Sequence, residues 1–462
     1  MQHQELIENR TFDEIQVGDQ ASLERRLTER DIKLFAIMSG DVNPAHVDED
    51  YARESLFHEV IAHGLWGGSL ISTVLGTQLP GPGTIYLNQS LSFRRPIGLG
   101  DLVTITVTVK TKDADNGHLT LDCLCTNQDG QRVITGEAEV LAPKKKVRRP
   151  RWIPPEVRVE EHVHLRRLLD NAKDKDPILT AVVQPTDTTS LEGVMAAAEK
   201  NLITPVLIGP SAKVQDAAEA VGISLADVEL HDVKHSHAAA AKAVSLARAG
   251  QVQAVMKGNI HTDELMRAVL QREGGLRTER RLSHVFAFDV PSYAQPLFIT
   301  DAAINPYPTL MHKRDIIQNA VDLLHALGID EPRVALLSAV ENVTPTLQST
   351  LDAASLCKMA DRGQIQGAIV DGPLAFDNAV SEEAARIKKI QSPVAGKADI
   401  LVAPDLEAGN MLAKQLEYLG GAEGAGIALG ARVPIILTSR ADDTTSRLAS
   451  CALALQWAHA AL

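Results

Sequence analysis

Asp41 and His46 are separated by only four residues in the stretch SGDVNPAHVDED, which covers residues 39–50. A carboxylate and an imidazole held this close can orient and polarise one water molecule, as a general acid–base site requires. Asn43 and Pro44 favour a fixed turn between them, through side-chain hydrogen bonding and a locked φ angle. On spacing alone, however, a solvated turn after a helix is the favoured interpretation.

A second group of candidate residues follows an apolar run near the C-terminus, in VPIILTSRADDTTSRLAS. Ser439 and Arg440 stand just beyond the strand that this run predicts. A hydroxyl and a guanidinium in this position suit a phosphate or thioester group, because arginine offers a planar fork of donors. Taken alone, the same pair is also a common surface ending of a strand.

The composition of the whole chain limits the classes of function. At 462 residues the chain is predicted to fold as roughly three units of about 150 residues. Its net charge of −13 opposes binding to nucleic acid or an anionic membrane, so an anionic ligand must meet a local cluster of Arg and Lys. The N-terminus lacks a basic start and an apolar signal segment, so we expect a soluble cytoplasmic protein.

The remaining motifs do not predict a metal or a nucleotide cofactor. Cys123 and Cys125 alternate within LTLDCLCT, which places both thiols on one strand face as core residues. Three histidines have metal-like spacing but no carboxylate to complete a site, namely His231, His235 and His237. The glycines of GAGIALG at 424–430 miss the dinucleotide spacing, and there is no P-loop for ATP.

The elements that must position Asp41 and His46 are predicted within residues 1–142. Thr28 and Asp31 form a capping-box-like start for the helix in TERDIKLFAIMSG, and Gly40 ends it. A second helix, GLWGGSLISTVLGTQL, is apolar nearly all round and is therefore predicted to be buried. DLVTITVTVK alternates strictly, and HLTLDCLCT and RVITGEAEVLA predict a hairpin. We expect an antiparallel sheet around a buried helix.

The chain changes character after residue 142. Residues 143–174 are rich in proline and basic charge and are predicted to be a linker. From residue 175 to 462, short apolar strands alternate with Ala-rich helices, which predicts a mainly parallel, doubly wound sheet. Ligands are then expected at the carboxyl ends of the strands, where KGNIH, APDLEAGN and TSRADD emerge.

The N-terminal motifs SGDVNPAHVDED, VIAHGLWGGSLIS and GTIYLNQSLSFRRPIGLGD together resemble the MaoC-like (R)-specific enoyl-CoA hydratases over about residues 10–142. The resemblance implies an α+β hot-dog fold, a sheet wrapped around a central helix. It also implies that Asp41 and His46 activate water for addition to a trans-2-enoyl thioester.

The same resemblance assigns further residues of the N-terminal site. The backbone N–H of Gly64 would stabilise the negative charge that builds on the thioester oxygen. Ser72 would lie in the substrate pocket, and Asn43 would support the Asp–His geometry. For His63 we expect a packing or capping role at the start of the helix. Gly67 and Gly68 replace larger residues of the family and leave the acyl-chain length open.

The C-terminal motifs MKGNIHTDELMRAVL, GGLRTERRLSHVFAF, SPVAGKADILVAPDLEAGN and LTSRADD are similar to the phosphate acetyltransferase and phosphate butyryltransferase family over about residues 175–462. The similarity implies two α/β subdomains of the isopropylmalate-dehydrogenase-like type, the inner one near 280–430. It makes Ser439 a partner of the CoA thiol or acyl carbonyl, Arg440 a phosphate ligand and Arg267 a second cationic stabiliser.

The base of this second site is ambiguous in the sequence. Acetyl-type members of the family carry an Asp seven residues after the serine, where this chain has Ser446. Asp442 or Asp443 is therefore expected to deprotonate the CoA thiol, and Asp442 is our choice.

Together these resemblances predict a bifunctional acyl-CoA enzyme, an enoyl-CoA hydratase fused to a phosphate acyltransferase. Its substrates would be CoA thioesters and phosphate, with no bound cofactor and no metal. The alternative is a hydratase with a non-catalytic C-terminal half that senses acyl-CoA. Exposed edges of a single hot-dog sheet favour a homo-oligomer, at least a dimer.

Overall fold

The computed structural model describes residues 5–155, 157, 159, 162–437 and 443–460. Its contacts divide the chain into an N-terminal unit, residues 1–159, and a C-terminal unit, residues 160–462. Within the described ranges no helix is both long and apolar enough to cross a bilayer.

In its described residues, the N-terminal unit contains two short ribbon strands, a five-stranded sheet and four helices. Its strands are β1 (Leu6–Glu8), β2 (Gln20–Arg26), β3 (Ile85–Phe93), β4 (Leu102–Asp113), β5 (His118–Thr126), β6 (Arg132–Leu141) and β7 (Arg148–Pro150). Its helices are α1 (Glu29–Ser39), α2 (Pro44–Val47), α3 (Glu49–Glu54) and α4 (Gly64–Thr77), with a 3₁₀ turn at Phe12–Glu14.

The five-stranded sheet is antiparallel and has the order β2-β4-β5-β6-β3. Alternate residues of β4, from Val103 to Val109, are buried, and they share one core with Trp66 and Ile71 of α4. The predictions of an antiparallel sheet around a buried helix and of the β5–β6 hairpin are confirmed. Cys123 and Cys125 are buried in this core, as predicted.

The segment 143–174, predicted as a linker, contains two regular elements among the residues that the structure describes. Strand β7 pairs antiparallel with β1, in the register Leu6↔Pro150. Helix α5 (His164–Asp170) lies in the C-terminal unit, where the buried carboxylate of Asp289 accepts hydrogen bonds from the backbone N–H groups of His164 and Leu165. The division between the two units falls between residues 159 and 160.

The C-terminal unit alternates strands and helices. Its strands are β8 (Ile178–Val183), β9 (Ile203–Gly209), β10 (Glu229–Asp232), β11 (Ala254–Lys257), β12 (Ser283–Asp289), β13 (Leu297–Thr300), β14 (Arg333–Leu337), β15 (Ile369–Leu374), β16 (Ile400–Val402), β17 (Glu423–Leu429) and β18 (Ile435–Ile436).

The helices that follow α5 along the chain cover the sheet or connect its strands. They are α6 (Thr188–Glu199), α7 (Ser211–Ala220), α8 (Ser236–Arg248), α9 (Thr262–Val269), α10 (Leu310–Ala326), α11 (Gln348–Asp361), α12 (Phe376–Val380), α13 (Glu382–Ile387), α14 (Leu406–Tyr418) and α15 (Thr444–Ala460). Helix α15 is buried along most of its length, so its Ala and Leu residues belong to the largest core of the unit.

One sheet of eleven strands runs through the C-terminal unit, in the order β10-β9-β8-β11-β18-β17-β12-β13-β16-β14-β15. Five strands from β10 to β18 are parallel to one another, and so are the four strands from β13 to β15. Three antiparallel steps, through β17 and β12, separate the two groups. The prediction of a mainly parallel sheet is confirmed.

The three antiparallel steps reverse the strand direction between the two groups. β11 and β18 both end at one edge, where KGNIH begins, whereas APDLEAGN follows β16 and emerges at the opposite edge. KGNIH and APDLEAGN thus follow the carboxyl ends of their strands, as predicted, but at opposite edges of the sheet, and TSRADD lies mostly outside the described residues. The central strands β12, β13 and β17 were not among the predicted parallel strands, and they cause the reversal.

Candidate active sites

The loop that carries Asp41 begins where helix α1 ends. Gly40 ends α1 with φ 74°, a left-handed conformation that glycine adopts without steric cost. The Asp41 carboxylate accepts a hydrogen bond from Asn43 N at 3.2 Å, and the Asn43 side chain accepts one from Ala45 N at 3.1 Å. Asn43 thereby caps α2 with Pro44 as its first residue. Asp41 thus lies on the loop, but His46 lies on a one-turn helix.

A single hydrogen bond determines which nitrogen of His46 is available for chemistry. Nδ1 lies 2.8 Å from the carbonyl oxygen of Ile61. A carbonyl oxygen can only accept, so in the neutral ring Nδ1 carries the proton and Nε2 is the free acceptor. His46 can therefore take a proton at Nε2.

His63 contacts both candidate residues, a role that sequence reasoning missed. It is 2% exposed and occupies the N-cap of α4, but its side chain makes no cap hydrogen bond. Instead Nε2 lies 2.9 Å from the backbone oxygen of Asp41 and must donate to it. The ring packs between His46 and Phe35, at centroid distances of 4.0 and 4.9 Å. The sequence feature that could have indicated this role is the position of His63 directly before Gly64.

A cavity of about 330 Å³ opens beside His46 and His63. Its walls are mainly apolar, and its lining includes Phe57, Ile61, Phe93, Ile97 and Ile134. Arg94 and Arg95 contribute the positive charge of the lining. The cavity therefore offers an apolar interior together with a cationic part.

Two other predicted residues differ in their relation to this cavity. Gly64 lines it as the first residue of α4, a position whose N–H has no acceptor within a helix. That N–H is the predicted donor to the thioester oxygen. Ser72, also on α4, is exposed and is not among the lining residues.

Asp41, His46 and His63 also form a group whose geometry bears on metal binding. Their potential ligand atoms lie within 4.8 Å of one another, and no other such group occurs in the described part of the chain. One nitrogen of each histidine is already bonded to a carbonyl oxygen. Only one nitrogen of each ring is left for a ligand, and the absence of a metal stays a prediction.

Three of the C-terminal candidates, Ser439, Arg440 and Asp442, lie outside the described residues. Their neighbours are described: β18 ends at Ile436 and α15 begins at Thr444. Asp443 accepts a hydrogen bond from Ser446 N at 2.8 Å, the contact of an N-terminal helix cap. Ser446, at the position of the acetyl-type base, is therefore part of the first turn of α15.

The segment 438–442 follows a strand whose neighbour carries polar residues. β18 pairs in parallel with β11, in the register Met256↔Ile436, so the adjacent strand ends at Lys257, and Gly258 and Asn259 follow it. Gln184 follows the last residue of the next strand, β8, with φ 60°, and its Oε1 atom is buried without a partner among the described groups. KGNIH, one of the segments predicted to bind ligands, thus begins at the end of the strand beside β18.

Arg267, the second predicted cation, is exposed in the last turn of α9. Its guanidinium is 3.8 Å from the carboxylate of Asp263, one turn earlier on the same helix. Exposed pairs of this kind contribute only about 0.3–0.5 kcal/mol. The guanidinium is therefore weakly held and available to a ligand.

Comparison with known proteins gives a separate match for each unit. Residues 234–455 match the family profile described as "Phosphate acetyl/butaryl transferase", and residues 13–120 match the profile described as "MaoC like domain". The phosphate acetyltransferase of Rhizobium meliloti is 59% identical over 292 residues, which covers 63% of this chain and 92% of that protein.

Two solved structures are also similar to parts of the chain. A branched-chain phosphotransacylase from Enterococcus faecalis V583 is 32% identical with a TM-score of 0.55, covering 61% of this chain and 99% of that one. An R-hydratase from Pseudomonas aeruginosa is 40% identical with a TM-score of 0.33, covering 34% of this chain and 99% of that one.

Proposed function

The chain belongs to the phosphate acetyl/butyryl transferase family, and on this premise we propose that it is a bifunctional acyl-CoA enzyme. The N-terminal unit is a MaoC-like hot-dog domain, and the C-terminal unit has a phosphotransacylase-like fold. One unit hydrates trans-2-enoyl-CoA to (R)-3-hydroxyacyl-CoA. The other exchanges an acyl group between CoA and inorganic phosphate.

The observation that best supports the hydratase activity is the free Nε2 atom of His46 beside Asp41. A water molecule held by Asp41 and His46 would give its hydroxyl group to C3 of the enoyl thioester, while C2 receives a proton. Negative charge then develops on the thioester oxygen, where the N–H of Gly64 would donate a hydrogen bond. Asn43 supports this geometry through its bonds to Asp41 and Ala45.

The lining of the cavity supports a CoA thioester as the substrate. The apolar walls suit an acyl chain, and Arg94 and Arg95 provide positive charge for the phosphates of CoA. Ser72 was expected in the pocket. Its exposed position outside the lining gives that assignment no support.

In the C-terminal unit, a phosphate oxygen would attack the thioester carbonyl and CoA would leave as a thiolate. Arg440 and Arg267 would offset the phosphate charge during the attack, with Ser439 beside the thiol or the carbonyl. In the reverse direction a base must take the proton of the CoA thiol. Asp443 is engaged as a helix cap, which favours Asp442 as that base.

The proposal includes the organisation of the chain, with domains at 1–142 and 175–462 and a connecting segment at 143–174. An isopropylmalate-dehydrogenase-like pair of subdomains agrees with the sheet order, because strands between residues 283 and 429 occupy one side and β18 returns to the other.

The edge strand β3 exposes Ile85, Tyr86 and Leu87. Such an edge favours pairing with a second copy. We therefore propose a cytoplasmic homo-oligomer that needs CoA thioesters and phosphate but no bound cofactor.

Two variants of the intact protein test both activities. Crotonyl-CoA hydration and phosphate-dependent release of CoA thiol would be measured for wild type, Asp41→Asn and Arg440→Ala. We expect Asp41→Asn to lose hydration by about 10²–10⁴-fold and to keep thiol release. Arg440→Ala should show the reverse. Absent thiol release in the wild type, with hydration intact, would reduce the C-terminal unit to a binding module, and phosphate-independent release would contradict the proposed transfer to phosphate.

A further inference from the structure

A second cationic cavity in the C-terminal unit is not part of the sites above. Its volume is about 330 Å³, and it lies where the chain enters β12. We call it the arginine pocket, defined by Arg277, Thr278, Arg281, His312 and Gly430. Arg267 does not line it, although Leu270, three residues later, does.

Two hydrogen bonds to neighbouring residues hold Arg281 in place at the wall of the arginine pocket. Its Nε donates to the side-chain oxygen of Asn305 at 2.6 Å, and its backbone N–H donates to the carboxylate of Asp315 at 3.0 Å. Asn305 is only 1% exposed and donates in turn to the carbonyl of Leu282 at 2.8 Å. The structure shows no other hydrogen bond of the Arg281 side chain within the described ranges. Nη1 and Nη2 are therefore fixed in orientation and available as donors.

The buried carboxylates of Asp301 and Asp315 lie near Arg281 but do not accept hydrogen bonds from its Nη1 and Nη2 groups. Asp301 is 3% exposed, and its carboxylate accepts from the backbone N–H groups of Ala303, Ile304 and Asn305. Asp315 accepts from the guanidinium of Arg314, with Nε at 2.9 Å, and from Arg281 N. Both carboxylates are thus satisfied by other donors, and the Nη groups of Arg281 stay open to a ligand.

The balance of charge on the wall of the arginine pocket is positive. Arg280 is paired with Asp322 outside the lining, and Asp315 with Arg314. The charged lining residues that are left are two arginines, Arg277 and Arg281, and one acid, Glu279. None of these three has an ion pair in the described part of the chain. Burial and then the charge of Arg281 lower the pKa of His312 from its ordinary value, so the imidazole is neutral near pH 7 and adds no charge. In a chain of net charge −13, the site is locally cationic.

We propose that the arginine pocket binds a phosphate dianion, through the Nη groups of Arg281 and the guanidinium of Arg277. Phosphate matches the fork of donors that a fixed guanidinium presents. Two sources carry this chemistry: inorganic phosphate and the 3′-phosphate of CoA. Assignment to either source rests on the proposed function, but binding itself does not.

Calorimetric titration tests binding independently of catalysis. The intact Arg440→Ala protein would be titrated with inorganic phosphate and with adenosine 3′,5′-bisphosphate, so that the segment at 438–442 contributes less. Adding Arg281→Gln should weaken one of the two ligands by about 10-fold or more, since one charge-assisted hydrogen bond is lost. Adding Arg272→Gln instead should change neither, because Arg272 is exposed and outside the lining.

The ligand affected by Arg281→Gln identifies the source. Weaker binding of inorganic phosphate indicates the acyl acceptor, and weaker binding of the bisphosphate indicates CoA. Arg277→Gln provides a second variant if Arg281→Gln does not fold. Equal affinities with and without the arginine substitutions, or no binding of either probe, would overturn the proposal even if both enzyme activities are present.

In the active enzyme the same substitution should act on one Michaelis constant. If the ligand is the 3′-phosphate, Arg281→Gln raises KM for CoA but not for dephospho-CoA. If the ligand is inorganic phosphate, it raises KM for phosphate alone. An unchanged set of Michaelis constants together with unchanged binding would show that the arginine pocket is not a phosphate site.

Discussion

The rings of His46 and His63 are in contact, with centroids 4.0 Å apart and planes tilted by 34°. His63 also donates to the backbone oxygen of Asp41. One buried side chain thus touches both residues to which water activation is assigned. We regard His63 as a positioning residue for the hydratase.

Replacing His63 should therefore reduce turnover more than binding. His63→Phe keeps a ring against His46 but removes the donor to Asp41, so we expect kcat for crotonyl-CoA hydration to fall about 10-fold, the value of one hydrogen bond, with little change in KM. His63→Gln, whose amide can donate, should recover part of the loss. If His63→Phe also lowers the thermal stability and the phosphate-dependent thiol release of the protein, the substitution causes a general folding defect instead.

Gly67 is expected to influence the acyl-chain length that the hydratase accepts. A Cβ atom on Gly67 would lie 2.5 Å from Cδ1 of Ile134, which lines the cavity. Gly67→Ala should push Ile134 into the cavity and lower kcat/KM for hexenoyl-CoA about 10-fold more than for crotonyl-CoA. Gly76→Ala is the matched control on the same helix, because a Cβ there meets nothing within 4 Å.

The chain-length prediction has its own check. Adding Ile134→Val to Gly67→Ala removes a methyl group from the crowded side chain and should restore part of the activity toward hexenoyl-CoA. If both enoyl-CoA substrates lose activity equally, the substitution disturbs the helix rather than the cavity.

Arg95 is expected to contribute through the CoA part of the substrate. It lines the cavity, is exposed and has no ion pair in the described ranges. Arg95→Ala should lower kcat/KM for crotonyl-CoA about 5-fold, less so at high salt, through the loss of a partly screened charge. The N-acetylcysteamine thioester of crotonate has no phosphates and should react equally with both proteins. Arg132→Ala, outside the lining, is the control.

His284 should make the C-terminal unit less stable at mildly acidic pH. Burial lowers its pKa from 6.5 to about 4, although the nearby Asp301 acts in the opposite direction. Between these two values the unfolded chain binds a proton that the folded one does not, so stability is lost as pH falls from about 6.5 toward 4. We expect a loss of about 2 kcal/mol between pH 7 and pH 5.

Hydrogen exchange of strand β12 at both pH values reports on this unit alone. His284→Gln should reduce the difference between the two pH values, whatever its effect on stability at pH 7. The same difference in the variant and the wild type would assign the acid sensitivity to other groups.

Local patterns predicted much of the fold, but they could not predict the centre of the C-terminal sheet. Alternation identified β4 and the β5–β6 hairpin, because each strand packs against a neighbour in sequence. Strands β12 and β17 pair although about 140 residues separate them, as in Ser283↔Leu429, and periodicity carries no information about such partners. The reversal of strand direction therefore appears only in the structure.

The candidate sites show the same limit. Asp41, Asn43 and His46 could be predicted as site residues because they lie within six consecutive residues of the chain. His63 joins them only after α4 has folded against α1, and Arg281 acquires its orientation from Asn305, which is 24 residues away. Contacts of this kind depend on tertiary packing.

The ribbon of β1 and β7 brings together segments near the two ends of the N-terminal unit, since Leu6 pairs with Pro150. A unit whose ends meet can be appended to another protein, or inserted into one, without rearranging its interior. The same geometry makes it suited to circular permutation, with a short peptide joining the ribbon and new termini at a surface turn. In evolutionary terms, the ribbon suits this third of the chain to transfer between proteins as one unit.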